Sequence, residues 1–342
     1  MAHQNLYDEL EAKIKILRET TWYDRQLEWP EVQRWLDQFQ KTDDDDDEQI
    51  QCLFLLSNFM YFGRREIRET LRALFRDLYK YPIMQELRKK NANTKDRNLL
   101  EREFQKVLDK TRFLGMGNPS ESGTHLLYFF RQENNLSKDH FINGHDIFLP
   151  ESRRPRSWNR RHIIYSILRF FKLQTLFAPL VLRDDQIKRY VFIDDLCCSG
   201  SQARKYSENL VESMKLLDSE IEVYYFALFA TQRGMDYVRT YTAFDKVDCI
   251  FELDETYKCF SANSRFFRRE PHPVDKSKSE AICRRYDSAI KPGLVLGYNQ
   301  DQLLLGFYHN TPDNTPPIFW YDGTYSGNKL WRSIFHRYHK IY

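Results

Sequence analysis

Several things are absent from this sequence. None of its 342 residues belongs to a run of about 18 apolar residues, which excludes a membrane-spanning helix. The opening stretch, MAHQNLYDELEAKIKI, lacks the apolar core of a secretory leader. Formal net charge is only +3, too little for a polybasic membrane anchor or a general nucleic-acid coat. Six cysteines, at 52, 197, 198, 249, 259 and 283, form no CxxC pair, so neither a zinc site nor a disulfide framework is indicated. No internal repeat is visible. The expectation is a soluble cytoplasmic protein with no membrane partner.

What is present is the material of a folded core. Apolar residues make up 42% of the chain and aromatics 15%, which excludes a disordered or fibrous protein. The length exceeds what one core usually fills, so two domains, or one with large additions, are expected. Residues 1–110 read as helical throughout: Leu6, Leu10, Ile14 and Leu17 recur at helical spacing, and Trp29-Pro30 opens a segment carrying Val32, Trp35, Leu36 and Phe39. Asp43 to Asp47 lack the alternating ligand spacing of a calcium loop and read as a solvated linker favouring the next helix N-terminus. Further helices are expected around Ile50–Tyr61, from Ile67 until Tyr81-Pro82 stops it, and over 96–110.

From about residue 111 short apolar runs alternate with helical segments, the pattern of an α/β sheet. Candidate strands are RFLGM, HLLYFF, DIFL, APLVL, RYVFID, EVYYFALFA, VDCIFEL and LLLGFYH, with helices at 159–173, 201–217 and 231–241. The boundaries drawn from this change of pattern are 1–110 (helical region), 111–292 (α/β core) and 293–342 (C-terminal extension).

The most specific stretch is RYVFIDDLCCSGSQARKY, residues 189–206. YVFID is the run expected of a parallel strand buried on both faces, and ligands bind beyond the carboxyl ends of such strands. The small residues that follow let backbone N–H groups face a ligand, and the ensuing helix N-terminus favours an anion. Strand, loop and helix thus make a phosphate cradle, with Asp194 and Asp195 placed to accept hydrogen bonds from sugar hydroxyls. The same residues also read as a buried strand ending in an ordinary capped helix, with Asp195 or Ser199 as the cap. A pair of catalytic cysteines is disfavoured, since neither has a nearby sequence partner to activate it.

This stretch resembles the phosphoribosyl-pyrophosphate (PRPP) motif of type I phosphoribosyltransferases. Val191, Phe192 and Ile193 match the strand, Asp194 and Asp195 the acidic pair, and Ser199-Gly200 the Thr-Gly of the loop. The resemblance implies that the acidic pair contacts the ribose hydroxyls, binding Mg²⁺ indirectly through them or through water, while Cys197, Cys198, Ser199, Gly200, Ser201 and Gln202 surround the 5′-phosphate. Gln202 replaces a threonine of the family motif, and the two cysteines are a further departure. It also implies a pyrophosphate loop after an earlier strand. FLGMGNPSESG supplies Gly115, Gly117, Ser120, Glu121, Ser122 and Gly123 for it, or forms a plain turn.

Arg153, Arg154, Arg156, Arg160 and Arg161 cluster around Trp158 and read as a mobile flap over the pyrophosphate, a grip on nucleic acid, or a solvated basic face. Downstream, His309, Asn310, Thr311 and Asn314 precede Phe319, Trp320 and Tyr321, a pattern that suits an acceptor pocket or a Pro-rich turn packed on the core. Taken with the Asp-Asp loop, HNTPDNTPPIFW is similar to phosphoribosyltransferase-like proteins with a C-terminal extension, a group associated with bacterial antiphage conflict systems, including some retrons. That resemblance implies a type I phosphoribosyltransferase-like parallel sheet flanked by helices. It also implies an enzyme acting on PRPP or a related nucleotide with Mg²⁺ in antiviral defence. A non-catalytic nucleotide sensor stays open, as does an RNA-directed effector using the arginine segment and RFFRRE (265–270). The helical region and the basic segments are the expected contacts for a protein or nucleic-acid partner.

Overall fold

A computed structural model describes residues 2–41, 47–117, 122–150, 180–325 and 329–338. Two compact units emerge, residues 1–67 with 253–342 and residues 68–252. These cuts differ from 110 and 292, because the helices from Arg68 to Asp109 pack with the sheet rather than with the helices that precede them in sequence.

The 68–252 unit is built on a four-stranded sheet in the order β2 (Thr111–Gly115), β5 (Arg189–Cys197), β6 (Glu222–Thr231) and β7 (Lys246–Leu253). β2, β5 and β6 run parallel, with Gly115 opposite Ile193 and Asp194 opposite Ala227. Alternation along β2 splits its side chains between two layers. Leu114 joins Phe192, Tyr225 and Ala227 beneath the helices of residues 201–217 and 232–241. Phe113 instead meets Phe75, Tyr79 and Phe130, ring centroids about 5–6 Å apart. Both faces of the sheet are therefore covered, as a parallel sheet requires. A short antiparallel pair, β3 (Phe148–Pro150) and β4 (Leu180–Leu182), lies outside this sheet.

Two expectations change here. HLLYFF belongs to the helix Ser122–Glu133, where Leu126 and Phe130 are buried and Tyr128 is 54% exposed, a four-residue period rather than a two-residue one. Tyr81-Pro82 does not end a helix: Arg64–Ala73 continues through a π-helical stretch, Leu74–Lys80, into Tyr81–Lys90, with Pro82 directly after the π-helical stretch. The expected helix at 159–173 lies outside the described residues.

The other unit is mainly helical, with Ala2–Thr20, Trp29–Leu36, Glu48–Ser57 and Lys276–Ile290 around an aromatic core. Trp35 stacks on Phe319 and Phe59 on Phe335. Met60 and Tyr61 form not the end of a helix but β1 (Met60–Phe62), paired in parallel with β8 (Leu305–Phe307). β9 (Gly323–Tyr325) and β10 (Lys329–Trp331) make an antiparallel pair. Asp47 caps Glu48–Ser57, its carboxylate accepting from Gln49 N at 2.8 Å, while the rest of the aspartate run lies outside the described residues. Inside the unit, Asp287 is fully buried and both its oxygens accept backbone N–H groups, from Leu296 at 2.8 Å and Ile318 at 2.9 Å.

Candidate functional site

The sheet brings two strand ends together. β2 ends at Gly115, opposite Ile193, while β5 runs on to Cys197; Met116 N donates to Ile193 O at 2.9 Å, and a helix follows each strand, starting at Ser122 and at Ser201. Of the expected pyrophosphate loop, Gly115 closes β2, Gly117 adopts φ 99°, and Ser122 and Gly123 open the Ser122–Glu133 helix. Ser120 and Glu121 lie outside the described residues, as do Arg153, Arg154, Arg156, Arg160 and Arg161.

At the end of β5 the two aspartates differ. Asp194 is 7% exposed and turned into the core, where the Tyr225 hydroxyl donates to its Oδ2 at 2.6 Å. Asp195 is half-buried, and its Oδ1 accepts from Leu196 N at 2.9 Å. Burial above all, and then the charge of Asp195, pushes the Asp194 carboxyl up to about 8. The hydroxyl of Tyr225, buried beside both Asp194 and Cys197, is likewise held well above its usual range. Sequence reading did not find Tyr225. Its signal was the register, which sets it opposite Phe192 on β6, two residues short of Asp194 on the same face.

The loop beyond is closely held. Gly200 takes φ 71° and ψ −1°, left-handed geometry that turns the chain into the Ser201–Tyr206 helix. Ser199 and Ser201 hydroxyls lie 3.0 Å apart, and Gln202 is exposed on the first turn. From the next strand, the Thr231 hydroxyl donates to Cys198 O at 2.6 Å while accepting from Gly234 N at 3.0 Å, so one side chain ties the loop to the Gln232–Tyr241 helix. Arg204 reaches Tyr237 OH and Glu208, both at 2.7 Å. Cys197 and Cys198 are buried, and burial pushes the Cys197 thiol up to about 12, which leaves it no nucleophilic thiolate at neutral pH.

The acceptor candidates belong to the other unit. There Asn314 donates to Asp301 at 2.7 Å, Asn310 Oδ1 accepts from Tyr338 N, Thr311 is fully buried, and His309 stacks on Phe307. These contacts make HNTPDN a tight turn after β8.

A pH test follows from Asp194. Its folded pKa lies near 8, against about 4 in an unfolded chain, so between those values the folded state keeps a proton that the unfolded state has released. The stabilisation this gives is complete below about pH 4 and is lost as pH rises through about 8. Asp287 is pushed the same way, also to about 8, by burial. Comparison with Asp194→Asn isolates the first group. The melting temperature of the variant relative to wild type should climb by several degrees between about pH 5 and pH 8.5, at ~2–4 °C per kcal/mol. An offset that stays constant over that range would refute the assignment.

No curated protein matches the chain. Among solved structures it is similar to the Helicobacter pylori xanthine-guanine-hypoxanthine phosphoribosyltransferase, at 9% identity and a TM-score of 0.25, covering 57% of this chain and 91% of that one. Residues 32–337 match the PRTase-CE family. With that match spanning nearly the whole chain, the protein belongs to the PRTase-CE family, phosphoribosyltransferase-like proteins with a C-terminal extension.

Proposed function

We propose that the protein binds PRPP, or a closely related ribose phosphate, at the ends of β2 and β5, and transfers its phosphoribosyl group as an effector of bacterial antiviral defence. The observation that carries this is the acidic pair near the end of a central parallel strand, which leads through a glycine-turned loop into a helix and lies beside the end of the neighbouring parallel strand β2. Membership of the family supports the reaction class. The defence role rests on the resemblance of the Asp-Asp loop and HNTPDNTPPIFW to proteins of such systems.

The inequality of the aspartates divides their work. Asp195, the more exposed, accepts the ribose hydroxyls, whereas Asp194, anchored by Tyr225, fixes the strand end from below. Residues Cys197 to Gln202 receive the 5′-phosphate through backbone N–H groups and the serine hydroxyls, and residues 115–123 take the pyrophosphate. Mg²⁺ fits this donor set as an ion held by the ligand's own oxygens: Asp195 is the carboxylate exposed enough to take its water or the hydroxyls, and the ion would neutralise charge on the leaving pyrophosphate. The C1–O bond breaks with oxocarbenium character as the acceptor attacks, and the protein's part is to position and to stabilise charge.

Titration calorimetry with PRPP and Mg²⁺, with pyrophosphate release followed in parallel, tests the proposal. Wild type should bind saturably, and Asp195→Asn should weaken binding by at least about tenfold, or ~1.4 kcal/mol. Binding without release, in the presence of candidate acceptors, would favour the sensor reading. Absence of binding by well-folded protein would remove PRPP as the ligand.

A further inference from the structure

In the unit formed by residues 1–67 and 253–342, a concavity of about 640 Å³ is lined by Arg25, Arg34, Asp322, Leu330, Arg332 and His336, with Trp35 at its base. We propose that this concavity is a second ligand site, independent of the β5 loop, that takes the phosphate of a nucleotide. Three guanidinium groups reach it from three chain segments: the turn Tyr23–Arg25, the helix Trp29–Leu36 and the stretch after β10. Arg25 is oriented from behind, its Nε donating to Ile334 O at 2.9 Å and its Nη1 lying 3.7 Å from Glu31. The side chains of Arg34 and Arg332 have no hydrogen-bond or ion-pair partner among the described residues. By contrast Arg18, Arg284, Arg285 and Arg337 of the same unit are each engaged by a carboxylate.

The walls are fixed in advance of any ligand. Gln38 brackets Arg332, accepting from its backbone N at 2.7 Å and donating to its carbonyl at 3.0 Å. Trp35 Nε1 donates to Ile318 O at 2.9 Å, and the same carbonyl accepts from Trp331 Nε1 at 3.2 Å, so one acceptor ties the helix bearing Arg34 to the strand that precedes Arg332. Planar guanidinium groups suit phosphate oxygens in pairs, and with the backbone beneath them fixed only side-chain freedom is lost on binding. The volume falls within the range of about 300–1,000 Å³ usual for small-molecule sites. Leu330, 53% exposed, and His336, whose ring meets Tyr338 edge-on at 4.3 Å, offer surface for a base. Asp322 on the rim can accept from ribose hydroxyls. A nucleotide provides all three chemistries, free or as the phosphorylated end of a strand.

Calorimetry of the full chain with AMP and with a 5′-phosphorylated single-stranded DNA hexamer tests this, on wild type and on the Arg34→Gln/Arg332→Gln variant, with hydrogen exchange to locate the site. Both arginines are exposed, so glutamine should leave the fold intact. Saturable AMP binding, weakened at least about tenfold in the variant and accompanied by slowed exchange in 29–36 and 329–336, is expected. Tighter binding of the hexamer than of AMP would assign the site to a strand end, and equal or weaker binding to a free nucleotide. The proposal is overturned if neither probe binds saturably, if the variant binds as wild type does, or if protection appears only in 189–217.

Discussion

Gly234→Ala is expected to lower the melting temperature by about 5–10 °C and to weaken ligand binding at the β5 loop by at least about tenfold. The reason is local. A Cβ at Gly234 would stand 2.5 Å from Cys198 O and 2.6 Å from Cys197 O, distances no carbon side chain tolerates against backbone oxygen. Cys198 O cannot step aside freely, since it is held by Thr231 and Thr231 in turn by Gly234 N. Overpacking of this kind costs ~1–3 kcal/mol and occasionally more, and here it acts on the loop that must hold a phosphate. Thermal melts and PRPP calorimetry measure the two effects separately. A variant melting within about 1 °C of wild type, with unchanged affinity, would show that the loop yields and that its shape does not matter for binding.

Asp287→Ala should destabilise the largely helical unit by about 3–5 kcal/mol, measured by urea unfolding. Alanine removes two acceptors at once and leaves the N–H groups of Leu296 and Ile318 buried without partners, at ~1–3 kcal/mol each. A cavity adds to this, because the side chain is fully enclosed. Asp287→Asn keeps one acceptor oxygen and should lose about half as much. Equal losses for the two variants would mean that packing, not hydrogen bonding, makes this residue necessary.

Much of the α/β unit was legible in the sequence because its signals are local. Residues Tyr190 to Ile193 are uniformly apolar and β-rich, Gly200 marks a turn, and Ala203, Val211 and Met214 fall on one helix face. The Trp29-Pro30 start and the Asp96 cap of Arg97–Asp109 are equally local. HLLYFF misled because a short apolar run carries no period of its own, and only its partners decide whether Leu126 and Phe130 or alternate residues face inward. Nor could the inequality of Asp194 and Asp195 be read from adjacent letters. It depends on Tyr225, 31 residues away, and on a parallel register that sequence does not display. The pairing of β1 with β8 is hidden for the same reason, with the whole of the other unit between them.

That last pairing bears on how the protein comes into being. During synthesis, residues 68–252 emerge as one continuous segment whose strands find neighbours already made, so this unit can close before the chain is finished. Residues 1–67 emerge before that segment yet must wait for residues beyond it. Leu6, Ile14, Trp35 and Leu53 bury themselves in a core that Cys259, Phe319, Trp331 and Phe335 help complete. Until those arrive, the nascent chain carries an open apolar surface for as long as roughly 200 residues take to translate, on the order of 10–40 s. Residues made before the α/β unit are thus completed only after it, and in the cell that interval is the natural point for a chaperone to act.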